Sequence, residues 1–450
     1  MNLLRYSFDP KLTLLCALTL LAPVLASRAA DAPEIYEPKP TNAYFAKFNP
    51  RKAPATGPLL LKEGDRLAII GDSITEQRMY SRVMETYLTV CVPQLKISTR
   101  QFGWSGETAE GFLKRMTNDC LRFNPTVATL CYGMNDHRYR PFDVMNGAWY
   151  RSNYTGVVKS LKSAGARVVV GSPGCMSKPN TWGRVAGMTL DEHNANLCAL
   201  RDIDVGIAAR EEQRFADVFW IMMKAGFEGQ TRFGSDNEPY MIAGKDGVHP
   251  GWAGHLVMAY AFLQAMGLDG EVGTVTVDLG TQKAEASAGH TVDGVANGEV
   301  TLTSSRYPFC AAGDIQKDSS LRSGMEVVSF NQDLNRFRLV VKNATAANYK
   351  VTWGEQSKNY SPAELAAGVN LAADFAVNPF SEAFKRVDDA VGAKQAYETT
   401  QIKKIFHGDE GKKDMQAAVN RTESERTPLV EAIKTAFVPV KHTIKISVAE

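Results

Sequence analysis

The chain has 450 residues, 44% hydrophobic and 22% charged, a composition close to the globular average that excludes wholesale disorder. At about 100–200 residues per domain, that length implies two or three domains with ample core. A net charge of +2 from 51 basic and 49 acidic residues lacks the basic excess of a nucleic-acid binder. No internal apolar run reaches the ~18 residues of a membrane span.

Arg5 and Lys11 precede an apolar stretch, Leu12 to Leu25, followed by the small residues Ala26, Ser27, Ala29 and Ala30. This pattern predicts a secretory signal peptide over 1–26, no membrane span once it is removed, and a secreted or periplasmic protein. Six prolines between 27 and 60 read as an extended arm. Cys16 leaves with the signal. Cys91, Cys120, Cys131, Cys175, Cys198 and Cys310 remain, open to either disulfides or buried thiols. None of them sits in a CxxC pair or a Cys/His cluster of zinc spacing, so no metal is expected.

From Leu61 strands and helices alternate. Arg66–Ile70 is a short apolar strand ending at Gly71, and Tyr80, Val83, Met84, Tyr87, Leu88 and Cys91 recur at helical spacing up to Pro93. Strands are predicted at Leu95–Phe102, Thr126–Tyr132, Val168–Val170 and Ala216–Trp220. Helices are predicted around Tyr154–Leu161, Leu190–Gln213 and after Pro250. Such alternation implies a parallel sheet with helices on both faces over 61–270. Residues 271–356 read as β-rich, with strands at Val272–Leu279, Glu299–Thr303, Glu326–Phe330, Arg336–Lys342 and Tyr349–Trp353. The last two form neighbouring runs across a turn-prone Asn343–Asn348. Helices return over 357–450, starting from the capping box Ser361-Pro362-Ala363-Glu364 and continuing at about 380–406 and 413–436, with Val438–Val448 as a final strand. Phe384, Val387 and Val391 form an apolar stripe that needs a partner, so this region is expected to pack back on the body.

In a doubly wound sheet, ligands sit beyond the carboxyl ends of the strands. There the chain carries Gly71-Asp72-Ser73, then Ser105-Gly106-Glu107-Thr108, then Gly133-Met134-Asn135-Asp136. Asp246-Gly247-Val248-His249-Pro250 precedes the last helix of this part. A serine hydroxyl needs an adjacent base to become a nucleophile. His249 is the histidine with a carboxylate, Asp246, three residues earlier in a glycine-containing loop, as a triad requires. The Ser73 and Gly106 N–H groups and the Asn135 amide lie at the same sheet edge, where an oxyanion needs donors. Asp72 is read as bracing the turn, and His255 and His193 as structural and helix-surface histidines.

This ordered set resembles the GDSL/SGNH hydrolase family. The resemblance covers about residues 62–268 and implies a flavodoxin-like three-layer α/β/α sandwich with a parallel sheet. The β-rich segment and C-terminal helices that follow lie outside the family fold. It implies Ser73 as nucleophile, His249 and Asp246 as base and acid, and Ser73, Gly106 and Asn135 as the oxyanion hole, with no cofactor. His137, Arg138, Tyr139 and Trp149, in and after the asparagine loop, are candidate substrate contacts, as is Arg232 before the acid–base pair. Export, polar loops and the accessory segment favour a carbohydrate O-acetylesterase acting on an acylated glycan or other small ester. A lipase, lysophospholipase or thioesterase on longer chains, and a non-catalytic glycan-binding protein, are the alternatives.

Overall fold

The computed structural model describes residues 35–182 and 187–449, so the signal-peptide expectation falls outside the described residues. Five parallel strands form the first sheet: β1 (Arg66–Gly71), β2 (Ser98–Gln101), β3 (Val127–Cys131), β4 (Arg167–Gly171) and β5 (Arg214–Ala216). Their order, β2-β1-β3-β4-β5, is the flavodoxin-like winding expected, and it places the ligand crevice at the β1/β3 switch point. The three inner strands β1, β3 and β4 are nearly all apolar because both faces are covered, whereas the edge strand β2, Ser-Thr-Arg-Gln, is polar. Helices α1 (Ser73–Glu76), α2 (Tyr80–Val90), α3 (Ala109–Asp119), α4 (Val144–Ser163), α5 (Leu190–Glu211), α6 (Val218–Phe233) and α7 (Trp252–Ala265) complete the three layers.

Three predicted strands are corrected here. Ala216–Trp220 is strand only to Ala216. Asp217 then caps α6, accepting from the Trp220 N–H at 3.1 Å, so the apolar run continues as a buried helix. In Leu95–Phe102 only Ser98–Gln101 is strand, because Pro93–Leu95 forms a 3₁₀ turn closed by left-handed Lys96. Glu326–Phe330 is not a strand. It joins two short helices, α8 (Leu321–Val327) and α9 (Phe330–Asp333). Gly324 lets α8 lie directly on α7, since a Cβ there would fall 2.7 Å from the Ala253 carbonyl. This tertiary contact overrides the β-propensity of Val327 and Val328.

Two further sheets follow. In chain order the new strands are β6 (Glu271–Asp278), β7 (Lys283–Ala286), β8 (His290–Ala296), β9 (Glu299–Ser304), β10 (Arg336–Lys342), β11 (Tyr349–Trp353), β12 (Gln356–Tyr360), β13 (Val369–Asn370) and β14 (Val440–Val448). One sheet runs β13-β10-β6-β7 and the other β12-β11-β14-β9-β8. Arg336–Lys342 and Tyr349–Trp353, expected as neighbours, therefore belong to different sheets. They meet face to face, with Phe337 stacked on Trp353 at 5.4 Å between ring centres. The Trp353 indole N–H donates to His442 Nδ1 at 3.1 Å, and Ser304 Oγ links His442 and His290 at 2.9 and 2.8 Å. Strand β12 crosses residue 356, and β14, from the far end of the chain, lies between β11 and β9. Trp353 is fully buried at this junction. Trp353→Ala is expected to cost about 3–5 kcal/mol, read as a lower denaturation midpoint in urea.

After the short helices α10 (Pro362–Ala367) and α11 (Leu371–Asp374), the long helix α12 (Ser381–Thr400) packs on α2 and β2. Beyond α13 (Asp409–Lys413) the helix α14 (Met415–Ala436) packs on α12, its Arg426 donating to the Thr99 carbonyl of β2. Phe384, Val387 and Val391 are buried. Arg82 on α2 holds Asp388 at 2.9 and 2.5 Å, and Ser81 Oγ donates to Gln395 at 2.7 Å. Lys394 is buried between Glu85 at 2.9 Å and Glu398 at 2.8 Å and also donates to the Thr99 carbonyl at 2.6 Å. A buried ammonium is tolerated only with partners of this kind. The arm also has a seat, with Phe45 and Phe48 buried against Trp220 and Phe219 on α6. All six cysteines among the described residues are free and buried. No helix there is long and apolar enough to cross a membrane.

Candidate active site

Asp72 ends the β1 turn and caps α1, its Oδ1 accepting from the Ile74 N–H at 3.0 Å. Ser73 is therefore the first residue of a helix, where backbone N–H groups have no intrahelical partner. Its Oγ stands 2.8 Å from His249 Nε2, and His249 Nδ1 stands 2.7 Å from Asp246 Oδ2. The other Asp246 oxygen accepts from the N–H groups of Val248 and His249 at 2.9 and 2.8 Å, which fixes the carboxylate toward the ring. Partial burial alone would raise the Asp246 pKa. The backbone bonds and the imidazole outweigh it and hold the group below its ordinary value.

Gly106 follows β2 with φ +73°, and open space lies where a side chain would stand. That left-handed backbone favours glycine. Asn135 Nδ2 donates to the Glu107 carbonyl at 3.0 Å and makes a longer, 3.4 Å contact with Asp72 Oδ2. Buried beneath this loop, the Glu107 carboxylate takes Arg115 at 2.6 and 2.7 Å and the Tyr132 hydroxyl at 2.7 Å. Asp136 accepts from the Ala109 and Gly133 N–H groups at 3.0 and 2.9 Å and so ties the asparagine turn to α3. Burial pushes Asp72 up to about 7, against the pull of the Ile74 N–H and with Asp136 and Glu107 adding to the rise.

Ser73, Asp246 and His249 are thus in hydrogen-bonding sequence, with Asn135 linked to the Asp72 and Glu107 turns beside them. The candidate substrate contacts separate. Tyr139 reaches Asn135 Oδ1 through its hydroxyl at 3.5 Å. His137 is fully buried, bonded to the Met134 carbonyl and 3.2 Å from His193 Nδ1. His193, read as a surface histidine, is accordingly buried. Arg138 lies over the Trp149 ring at 4.3 Å, so these two residues engage each other. Arg232 is at the end of α6 and pairs with Glu326 on α8, away from the serine, histidine and asparagine groups.

Trp182, which sequence reasoning missed, has its ring centre 6.2 Å from both Tyr139 and His249, and it is 48% exposed. Only its aromatic type in the loop after β4 could have flagged it. His255 also contacts the site's framework, accepting from the Tyr80 N–H at 3.2 Å and facing Gln77 Oε1 at 2.9 Å. Burial, aided by His249, depresses its pKa to about 3. A folded-state pKa below the unfolded value of ~6.5 gives stability that is complete above that value and lost as pH falls toward 3. The His255 ring is therefore expected not to titrate between pH 8 and 5, as read by its ring nitrogen NMR shifts.

Residues 69–257 match the model of the GDSL-like lipase/acylhydrolase family. Over these residues the chain is similar to that family. The GDSL-type domain accounts for the sheet, the serine turn and the histidine loop, while the two further sheets and the C-terminal helices lie beyond the match. A solved gut microbial diltiazem-metabolizing enzyme is similar in fold, at 21% identity and a TM-score of 0.68, over 88% of this chain and 99% of that one. The accessory parts are thus largely shared with another known fold. An acetylxylan esterase from Geobacillus stearothermophilus aligns at 20% identity over 47% of this chain and 97% of its own, with a TM-score of 0.36. An alpha/beta hydrolase from the metagenome of Lake Arreo aligns at 22% over 46% and 98%, with a TM-score of 0.35. No curated protein matches the chain in sequence. Among the described residues no group of three or more His, Cys, Asp or Glu side chains is arranged to hold a metal ion.

Proposed function

We propose that the protein is an exported serine ester hydrolase that removes O-acetyl groups from a polysaccharide or oligosaccharide. The observation that carries this reading is the line from Ser73 Oγ through the His249 ring to Asp246 Oδ2, with steps of 2.8 and 2.7 Å. Ser73 Oγ attacks the ester carbonyl carbon while His249 Nε2 takes its proton. Asp246 keeps the Nδ1–H tautomer and balances the imidazolium. The N–H groups of Ser73 and Gly106 and the Asn135 amide receive the oxyanion. The long contact from Asn135 to Asp72 is the weaker of its two, and the N–H that makes it is the one that turns to donate a hydrogen bond to the oxyanion. Collapse breaks the bond to the sugar oxygen, which leaves with the proton from His249. Water then attacks the acetyl-serine with the same base, releasing acetate and restoring Ser73.

The exposed Trp182 and the neighbouring Tyr139 support a sugar rather than a long acyl chain, since flat aromatic faces beside the base suit stacking of a pyranose ring. A fluorophosphonate should label Ser73, located by peptide mass mapping, and acetate should be released from acetylated oligosaccharides. Faster cleavage of dodecanoyl than of acetyl aryl esters would favour the lipase reading, and absence of labelling would favour a binding protein. Trp182→Ala is expected to raise KM for an acetylated oligosaccharide about fivefold, the equivalent of about 1 kcal/mol of stacking. KM for p-nitrophenyl acetate should stay within about twofold.

A further inference from the structure

The C-terminal helices reach the serine turn from the far end of the sequence. At the end of α12 the backbone widens into a π-helical stretch, Gln401–Phe406, which buries Ile402 and Phe406 and leaves Lys403 and His407 facing the loop after β2. Lys403 Nζ lies 2.8 Å from both carboxylate oxygens of Glu76, the last residue of α1. The same carboxylate accepts from the Ser105 N–H at 2.5 Å. Ser105 is the residue before Gly106. Trp104, one residue earlier, has His407 against its ring at 4.8 Å and the Lys403 ammonium 5.2 Å from its centre. On another side the Arg115 guanidinium lies 5.1 Å away, and His407 also bonds Asp119 at 2.8 Å, which in turn holds Arg115 at 3.1 Å.

One carboxylate therefore joins a cation on the C-terminal helix to a backbone amide next to Gly106. Gly106 has no side chain to anchor it, and its left-handed backbone leaves its own N–H orientation dependent on its neighbours. We propose that Lys403 is a positioning residue for ester hydrolysis: it holds Glu76 against the Ser105 N–H and so fixes the loop that presents the Gly106 N–H to the oxyanion. The inference rests on the reading of Gly106 as an oxyanion donor. It gives the C-terminal helices a part in the chemistry, since a donor must be held to within about 0.5 Å and a misplacement of about 1 Å costs on the order of 100-fold in rate.

The full-length protein is assayed with p-nitrophenyl acetate. Lys403→Met, which keeps the chain length and loses the charge, should lower kcat about 10- to 100-fold with KM within about threefold. Lys403→Arg, which restores a cation to Glu76, should return kcat to within about threefold of the parent. The exchanged pair Glu76→Lys with Lys403→Glu remakes an ion pair but leaves the Ser105 N–H without its carboxylate. Its melting temperature should recover while kcat stays low. A folded Lys403→Met protein with kcat within twofold of the parent overturns the proposal, and so does recovery of kcat in the exchanged pair. If Lys403→Met does not fold, Glu76→Gln removes the ion pair while keeping an acceptor. At least a fivefold loss of kcat supports the proposal, and an unchanged kcat refutes it. Ser73→Ala, assayed alongside, separates the two levels. An active Ser73→Ala protein removes the reading of the site and this inference with it. An inactive one beside a fully active Lys403→Met protein removes this inference alone.

Discussion

Ser73→Ala is expected to lower kcat for a short aryl acetate by roughly 10⁴-fold or more while leaving the melting temperature within a few degrees. The hydroxyl is the atom facing His249 Nε2 at 2.8 Å, and alanine leaves that base with no proton to take. Alanine is a good helix former. The α1 cap is supplied by Asp72 rather than by Ser73, so the turn does not depend on the hydroxyl. What remains after removal is the binding cleft and the donors, which retain only a small fraction of the rate. Far-UV circular dichroism together with steady-state rates checks this. A folded variant with more than about a tenth of the parental kcat would sink the nucleophile assignment.

Asp246→Asn should be nearly as damaging, at about 10³–10⁴-fold in kcat. Asparagine can still accept from the Val248 and His249 N–H groups through its oxygen, which now receives both at 2.9 and 2.8 Å. Its NH₂ group would then face His249 Nδ1 in place of Oδ2, now 2.7 Å away. A donor there forces the tautomer with hydrogen on Nε2, which cannot take the serine proton. The loop geometry survives and the base does not. Asp246 is 38% exposed at its side chain, so water can partly substitute, which sets the effect below that of the serine. Its depressed pKa carries a further consequence. The stability it contributes is present above the unfolded value of ~3.9 and lost as pH falls through the folded one. The variant should therefore be less acid-sensitive than the parent, as measured by urea denaturation at pH 3 and pH 7.

Much of the GDSL-type domain was readable because its signals are local. A strand ending in Gly71-Asp72-Ser73 must turn there, and Asp72 caps a helix whose first residue is the serine. The same holds for Gly133-Met134-Asn135-Asp136 and for Asp246 three residues before His249. Other elements were decided by partners distant in sequence. Val327 and Val328 have strand propensity, but α8 packs on α7. The strand carrying Trp353 alternates correctly, yet alternation cannot say which sheet it joins, and β14 arrives from the far terminus to sit beside it. Trp182 is one loop aromatic among several until the fold puts it by His249.

The winding order of the sheet and the roles of Ser73, Gly106, Asn135, Asp246 and His249 were what the family resemblance implied; the sequence by itself determined the alternation of strands and helices over 61–270 and the turns that carry those residues. These follow from turn chemistry and apolar periodicity, which act over a few residues. Only the tertiary structure decided what surrounds them: a β sandwich drawn from both sides of residue 356, and a C-terminal helix whose Lys403 reaches Glu76 across 327 positions of chain. No local pattern encodes a contact of that separation. It exists because α12 buries an apolar stripe and the charges Lys394 and Glu398 against α2 and β2, and that packing carries Lys403 to the serine turn.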